Sequence, residues 1–315
     1  MKRIRTIGFL IAAIAALAFP ALSQAVTLEA GEVWGHFSDY TSIWTTQGSA
    51  SGDTDGNGII GAGETWNPTV GDEGRAIVRV DQLYNANTGD VFWSTGPTEQ
   101  ITALEYGFVF EGTDQAGNIY FEAGPNAGID IYLDQGSPTN FDPTSGPGSW
   151  DDSGATPSFP TSSDGTLWLT GTFAPLFSDT NLNGMRDAGE PFVDQDGDGN
   201  PSVYVISAFD PVGAGSASAW VDITGGEFAD QIAQGIFGEY EVAGDDGMAI
   251  GTYDMSLQAE LHPSRYGDAF SWQTRSSDPV YFQVVPDPAT MLLFGSGLLG
   301  IAGLRRTRFG SKKES

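Results

Sequence analysis

Residues 104–134 read LEYGFVFEGTDQAGNIYFEAGPNAGIDIYLD, and their alternation decides the fold. Residues 104–110 and 129–134 switch between apolar and polar side chains with a period of two, so each segment can bury one face and wet the other. Ile119-Tyr120-Phe121 adds a short apolar run, and Gly124-Pro125-Asn126-Ala127-Gly128 behind it predicts a hairpin. The same strand signal recurs at 76–81, 166–173, 202–209, 217–223, 252–261 and 280–285, with 43 Gly and 17 Pro punctuating the chain. Alternating strands with one solvated face predict an antiparallel β-sandwich. One helix is expected over 227–237, where Thr224 and Glu227 can form a capping box and Phe228, Ile232 and Ile236 share a face. Residues 135–165, rich in Ser, Pro, Gly, Thr and Asp, read as a long surface loop or a boundary.

Charge narrows the function classes. Of the 41 acidic residues only Asp287 and Glu314 lie outside residues 26–285, where the basic residues are Arg75, Arg79, Arg186, Arg265 and Arg275 alone. A field of that sign repels phosphate backbones, which excludes nucleic acid as a partner, and it suits a cation-rich exterior. The chain is 40% hydrophobic and 12% aromatic, enough for a real core. It has no Cys, so neither disulfides nor thiolate chemistry are available, and a metal ion is the expected substitute clamp.

Three acidic loops carry the chemistry. Residues 53–64, DTDGNGIIGAGE, place Asp53, Asp55 and Asn57 at positions 1, 3 and 5, Gly58 at position 6 and Glu64 at position 12. Residues 179–190, DTNLNGMRDAGE, put Asp179, Asn181, Asn183, Gly184 and Glu190 in the same slots. A hard cation takes six to eight oxygens. Alternate side chains of a tight turn supply three, the next carbonyl (Ile59 or Met185) one, and the closing Glu two. The third loop has Asp194, Asp196, Asp198 and Asn200, but Val205 falls at position 12, so its closing carboxylate is missing or comes from elsewhere in the fold. The spacing points to Ca2+. All three resemble EF-hand and dockerin-type calcium loops, yet the residues before them are poor helix formers, so the loops are expected between strands, with structural rather than sensing ions.

The two ends of the chain read as export signals. Lys2, Arg3 and Arg5, an apolar stretch over 7–19 and Ser23-Gln24-Ala25 make a signal peptide cleaved after Ala25. At the other end, Val285-Pro286-Asp287-Pro288-Ala289-Thr290 precedes an apolar run over 291–304 and then Arg305, Arg306 and Arg308. That run is shorter than the ~20 residues that span a bilayer comfortably, and the basic cluster stays on the cytoplasmic side. These residues resemble the PEP-CTERM sorting signal of exopolysaccharide-producing Gram-negative bacteria, with Asp287 where the family usually has Glu. The resemblance implies recognition by an exosortase near Pro286, Asp287 and Pro288, removal of the tail, and delivery to the cell surface. The segment 215–227, GSASAWVDITGGE, is also similar to one common in such proteins.

The resulting organisation is a signal peptide over 1–25, an acidic calcium-binding β-sandwich over 26–285, a sorting and transmembrane segment over 286–308 that forms a C-terminal hydrophobic helix, and a cytoplasmic tail over 309–315. Residues 289–304 would hold the chain in the inner membrane before processing. Other constellations are weak. Gly295-Ser296-Gly297-Leu298-Leu299-Gly300 matches GxGxxG but has no strand before it, and His36 and His262 sit in no catalytic spacing. The expected function is a non-enzymatic, calcium-binding structural protein of the cell surface or extracellular matrix. The rival readings are a carbohydrate-binding module for exopolysaccharide, with exposed coplanar Trp or Tyr on one sheet face, and a secreted glycosidase or lyase, with a carboxylate pair in a cleft.

Overall fold

The structure is a computed structural model and describes residues 31–135, 140–154, 156–177, 187–210, 214–233, 253–263 and 271–285. Its strands are β1 (Gly31–Trp44), β2 (Ile59–Ile60), β3 (Glu73–Asn85), β4 (Val91–Ser94), β5 (Glu99–Thr113), β6 (Ile119–Gln135), β7 (Thr166–Phe173), β8 (Ser202–Asp210), β9 (Ala214–Gly225), β10 (Met255–Pro263) and β11 (Thr274–Val284). All pairings are antiparallel and belong to one sheet. β1 pairs with β3 on one side and with β11 on the other, so β1-β3-β5-β6-β7-β9-β10-β11 closes into an eight-stranded barrel. An even strand count lets neighbours stay antiparallel all the way round. β7 and β8 share one slot between β6 and β9: β7 pairs residues 129–133 of β6, and β8 pairs residues 119–122. The first and last strands meet at Gly31 and Val284.

The expected sandwich is therefore corrected to a closed barrel with extra strands. Period-two alternation is identical in both architectures; only the β1–β11 pairing distinguishes them, and it joins residues more than 200 positions apart. The inward positions form one core cluster that includes Phe37, Val78, Ala103, Phe121, Ile131, Val221 and Phe282. The expected hairpin at residues 124–128 is also corrected, because β6 runs through it. Neither Gly124 nor Gly128 lies in the left-handed region; the turn conformation sits on the facing strand at Gly107, with φ +80. Residues 124–127 are an extra loop of chain opposite that bulge, between the pairs Tyr106–Gly128 and Phe108–Ala123. A Cβ on Gly107 would come 2.4 Å from the Ala127 Cα, so only Gly fits there.

The helix expected over 227–237 is a single 3-10 turn at Ala229–Gln231 within its described part. Phe228 and Ile232 are buried as foreseen, but against β strands rather than along a helix face: Phe228 packs on Trp168 at 4.7 Å, and Ile232 bridges to Val284. Residues 234–237, like the signal peptide and the C-terminal helix, lie outside the described residues.

Two long connections are straps on the barrel's outer wall, one of them within the stretch 135–165 expected as a long surface loop or a boundary. Residues 140–163 cover Tyr40, Ile77, Leu104, Tyr106 and Tyr132 with Phe159, Phe141 and Trp150. Polar anchors hold this strap: Thr102 Oγ1 donates to the Ser162 carbonyl at 2.8 Å, and Trp272 Nε1 to that of Pro143 at 3.0 Å. The excursion between β7 and β8 lays Ala174, Leu176 and Val193 over Tyr120, Val205 and Trp220. Inside the barrel Phe121 touches Trp66, Phe108, Phe110 and Tyr204 with ring centroids 5.4–6.5 Å apart. Phe121→Ala should lower stability by about 3–5 kcal/mol, read as a fall in the urea midpoint with little change in slope.

Candidate metal loops and the carboxylates of the barrel

The first acidic loop leaves β1 at Trp44 and is stitched back to it by β2, where Ile59 and Ile60 pair with Trp44 and Ile43. Asp53 is buried; its Oδ1 accepts from the Gly56 N–H (2.7 Å) and the Asn57 N–H (3.2 Å), and its Oδ2 from the Gly58 N–H (2.7 Å). Asp55 accepts from the Asn57 N–H at 3.0 Å, and the Asn57 side-chain oxygen from the Ile59 N–H at 2.7 Å. Gly56 and Gly58 take φ of +77 and +86, which turns the chain sharply enough to aim these oxygens inward. Glu64 closes the loop, accepting from the Thr54 N–H (2.7 Å) and the Gly61 N–H (2.8 Å). Asp53, Asp55 and Glu64 each bring one carboxylate oxygen within 4.8 Å of the others. Burial alone would raise the Asp53 and Glu64 carboxyls, but the amide donors outweigh it and hold both below their ordinary values.

The third loop repeats this wiring. Asp194 accepts from the Gly197 N–H (2.7 Å) and the Gly199 N–H (3.0 Å), Asp196 from the Asp198 N–H (3.1 Å), and Asp198 from the Asn200 N–H (2.7 Å). Asp194, Asp196 and Asp198 also bring oxygens within 4.8 Å of one another. Val205 at position 12 is buried in the outer cluster under the strap and offers no ligand. Of the second loop, Asp179, Asn181, Asn183 and Met185 lie outside the described residues. Its Glu190 is buried and accepts from the Asp187 N–H at 2.8 Å, the same three-residue reach-back that Glu64 makes to Gly61.

Sequence reasoning missed two carboxylates that the fold depends on. Asp72, fully buried, organises the whole 46–72 connection. Its Oδ1 accepts from Thr46 N (3.0 Å) and the Ser51 hydroxyl (3.3 Å), and its Oδ2 from Trp66 Nε1 (2.9 Å) and Thr69 N (3.1 Å). Glu105 points into the barrel with Asp39, which accepts from the Thr41 hydroxyl at 2.9 Å and from the Ser276 hydroxyl. Burial, with the Asp39 charge added, pushes Glu105 up to about 8. Two interior cavities of about 50 and 40 Å³ flank it. Among the 39 acids of residues 26–285, no local spacing marked either residue.

The imidazoles are surface groups beside acids, with His36 Nδ1 3.8 Å from Asp81 and His262 Nε2 3.9 Å from Glu260. The eight Trp are engaged by the protein. Trp66, Trp220 and Trp272 are buried, Trp34 stacks on Tyr84 at 4.1 Å, Trp44 meets Trp150 edge-on at 5.7 Å, and Trp93 donates to Glu99. The Arg75 guanidinium lies 4.7 Å over Trp44 and binds Glu73 and Asp152, pinning the 140–163 strap. Beside it runs a groove of about 260 Å³ lined by Tyr106, Asn126, Asp152 and Pro157 among others.

Residues 284–306 match the PEP-CTERM protein-sorting motif, which marks an exported protein with a C-terminal membrane-anchoring signal that an exosortase processes. No curated protein and no solved structure matches the chain. Ala25, Pro286, Asp287 and Pro288 lie outside the described residues. The match begins on Val284, the last residue of β11. Among the described residues no helix is long and apolar enough to cross a membrane.

Glu105 sets a pH dependence. Its folded pKa lies above the ordinary 4.5, so between pH 4.5 and about 8 the folded state keeps a proton that the unfolded chain releases. Stability therefore falls as pH rises through that window. Glu105→Gln should flatten the fall, raising the urea midpoint relative to wild type at pH 8.5 far more than at pH 5.

Proposed function

We propose that this chain is a non-catalytic, calcium-stabilised barrel exported to the cell surface or extracellular matrix of a Gram-negative bacterium, with its tail processed by an exosortase at residues 286–288. The observation that carries the reading is the sorting motif beginning on the strand that closes the barrel, with no linker between them. Calcium is supported by the shared wiring of the first and third loops and by the matching reach-back of Glu64 and Glu190. Extracellular calcium, typically bound by such modules at ~10⁻⁴–10⁻³ M, would neutralise carboxylates that the five arginines cannot. A second reading, carbohydrate binding to exopolysaccharide, is favoured by the groove beside Arg75 rather than by a flat aromatic platform.

Two outcomes follow. Chelating calcium should lower the melting temperature of the full chain by several degrees, since an ion bound only to the folded state stabilises it by mass action. Asp53→Ala combined with Asp194→Ala should remove most of that sensitivity, and a chelator-independent melting curve would refute the calcium reading. Deleting residues 286–315 should leave the protein in the periplasm or the medium instead of on the surface. Intact-mass measurement of surface material should show everything from about residue 288 onward gone; retention of Arg305 and Arg306 would contradict exosortase processing.

A further inference from the structure

The third acidic loop lacks a closing carboxylate of its own, and although residues 196–200 are exposed, its first two residues are half-buried. It lies against the outer wall of the barrel, where β5 and β6 carry two acids that the loop pattern does not include. Gln195 sits so close over β5 that a Cβ on Gly112 would come 2.9 Å from the Gln195 Cβ. On the same strand Glu111 is almost wholly buried, and its Oε1 accepts from the Gln195 N–H at 2.9 Å and from the Ser202 hydroxyl. Its other oxygen, Oε2, is buried with no hydrogen-bond partner. On β6, Glu122 pairs with Ser202 of β8, takes a hydrogen bond from the Asn200 side chain, and feels the charges of Asp198, Asp196 and Asp194. Asp194, Asp196 and Asp198 gather oxygens within 4.8 Å of one another, and two acids of the wall adjoin the turn, Glu111 through Gln195 and Glu122 through Asn200.

A buried carboxylate oxygen left without a partner is costly, and a cation is the partner that would satisfy it together with the loop. We infer that the 194–200 turn binds a divalent cation, of the hard, oxygen-preferring class of Ca2+, whose closing ligands come from the barrel wall: Glu122 on β6 in the role that Glu64 fills in the first loop, and Glu111 on β5 through its free oxygen. The inference rests on the calcium reading above and names the ligands that complete one of its sites. Asp194, Asp196 and Asp198 supply the three side-chain oxygens of the turn, and the wall supplies what position 12 would. Such an ion does more than order a loop. It fastens the excursion between β7 and β8 to the wall, and this excursion covers Tyr120, Val205 and Trp220.

Calcium titration of the full chain in detergent, by calorimetry and by terbium luminescence, tests the assignment on wild type, Glu122→Gln, Glu111→Gln, Asp196→Asn and Asp53→Asn. Circular dichroism in chelator confirms that each variant is folded; if Glu111→Gln is not, Glu122→Gln decides. The expected result is that Glu122→Gln and Asp196→Asn weaken the same binding step at least about tenfold, while Asp53→Asn removes a different one. A Glu122→Gln isotherm that superimposes on wild type, with Asp196→Asn losing its step, would overturn the wall ligands and leave the calcium reading standing. A wild-type chain that binds no calcium would overturn both.

Discussion

One strand hydrogen-bonded on both sides holds this molecule together. β1 pairs with β3 along almost its whole length and with β11 over residues 31–41. Closure removes the edge that would otherwise run along the first and last strands, leaving the short β2 and β4 as edge strands among the described residues. Closure also gathers the inward side chains into one apolar core, the reverse of a membrane barrel, whose apolar band faces outward. The chain has no Cys, and the constraint that disulfides supply in many exported domains comes here from pairing residues at opposite ends of the sequence.

The second constraint is electrostatic. With 41 acidic residues and few arginines to meet them, salt bridges cannot satisfy the carboxylates. Backbone amides do so instead. Asp53 and Asp194 each gather N–H groups from a turn, Asp72 draws on Thr46 and Thr69, and Asp114 takes the N–H groups of Ala116 and Asn118 at 2.9 and 2.8 Å. Amide donors satisfy these oxygens without adding formal charge. Arg75, which fixes a strap between Trp44 and Trp150, and Arg79, which pairs with Asp81 at 2.7 Å, are exceptions.

Local alternation revealed most of the strands, because a half-buried strand writes its period into its side chains wherever both faces behave normally. It did not reveal β1, whose inward face carries Asp39 and Thr41 and whose register shifts at His36 and Phe37. Nor could it reveal closure, a property of which strands meet rather than of any strand. Glycine misled at 124–128 because glycine marks both turns and close approaches, and here the approach to Gly107 and Tyr106 was the reason. The turns of the first and third loops were legible since their ligand spacing is local. Asp72, Glu105, Glu111 and Glu122 were not, since each acts on residues far along the chain.

The pairing of Gly31 with Val284 gives the molecule a base and a summit. Both ends of the described chain lie at one pole of the barrel, and the sorting motif starts there. β1 then climbs 14 residues to Trp44, a rise of roughly 30–35 Å for a strand tilted as barrel strands are. The 53–64 turn therefore sits by the Ile43–Trp44 end of β1, at the pole opposite Gly31 and Val284. Anything joined to the chain at the Val284 end would thus leave the carboxylates of this turn on the opposite side of the barrel, as far from the joint as β1 is long.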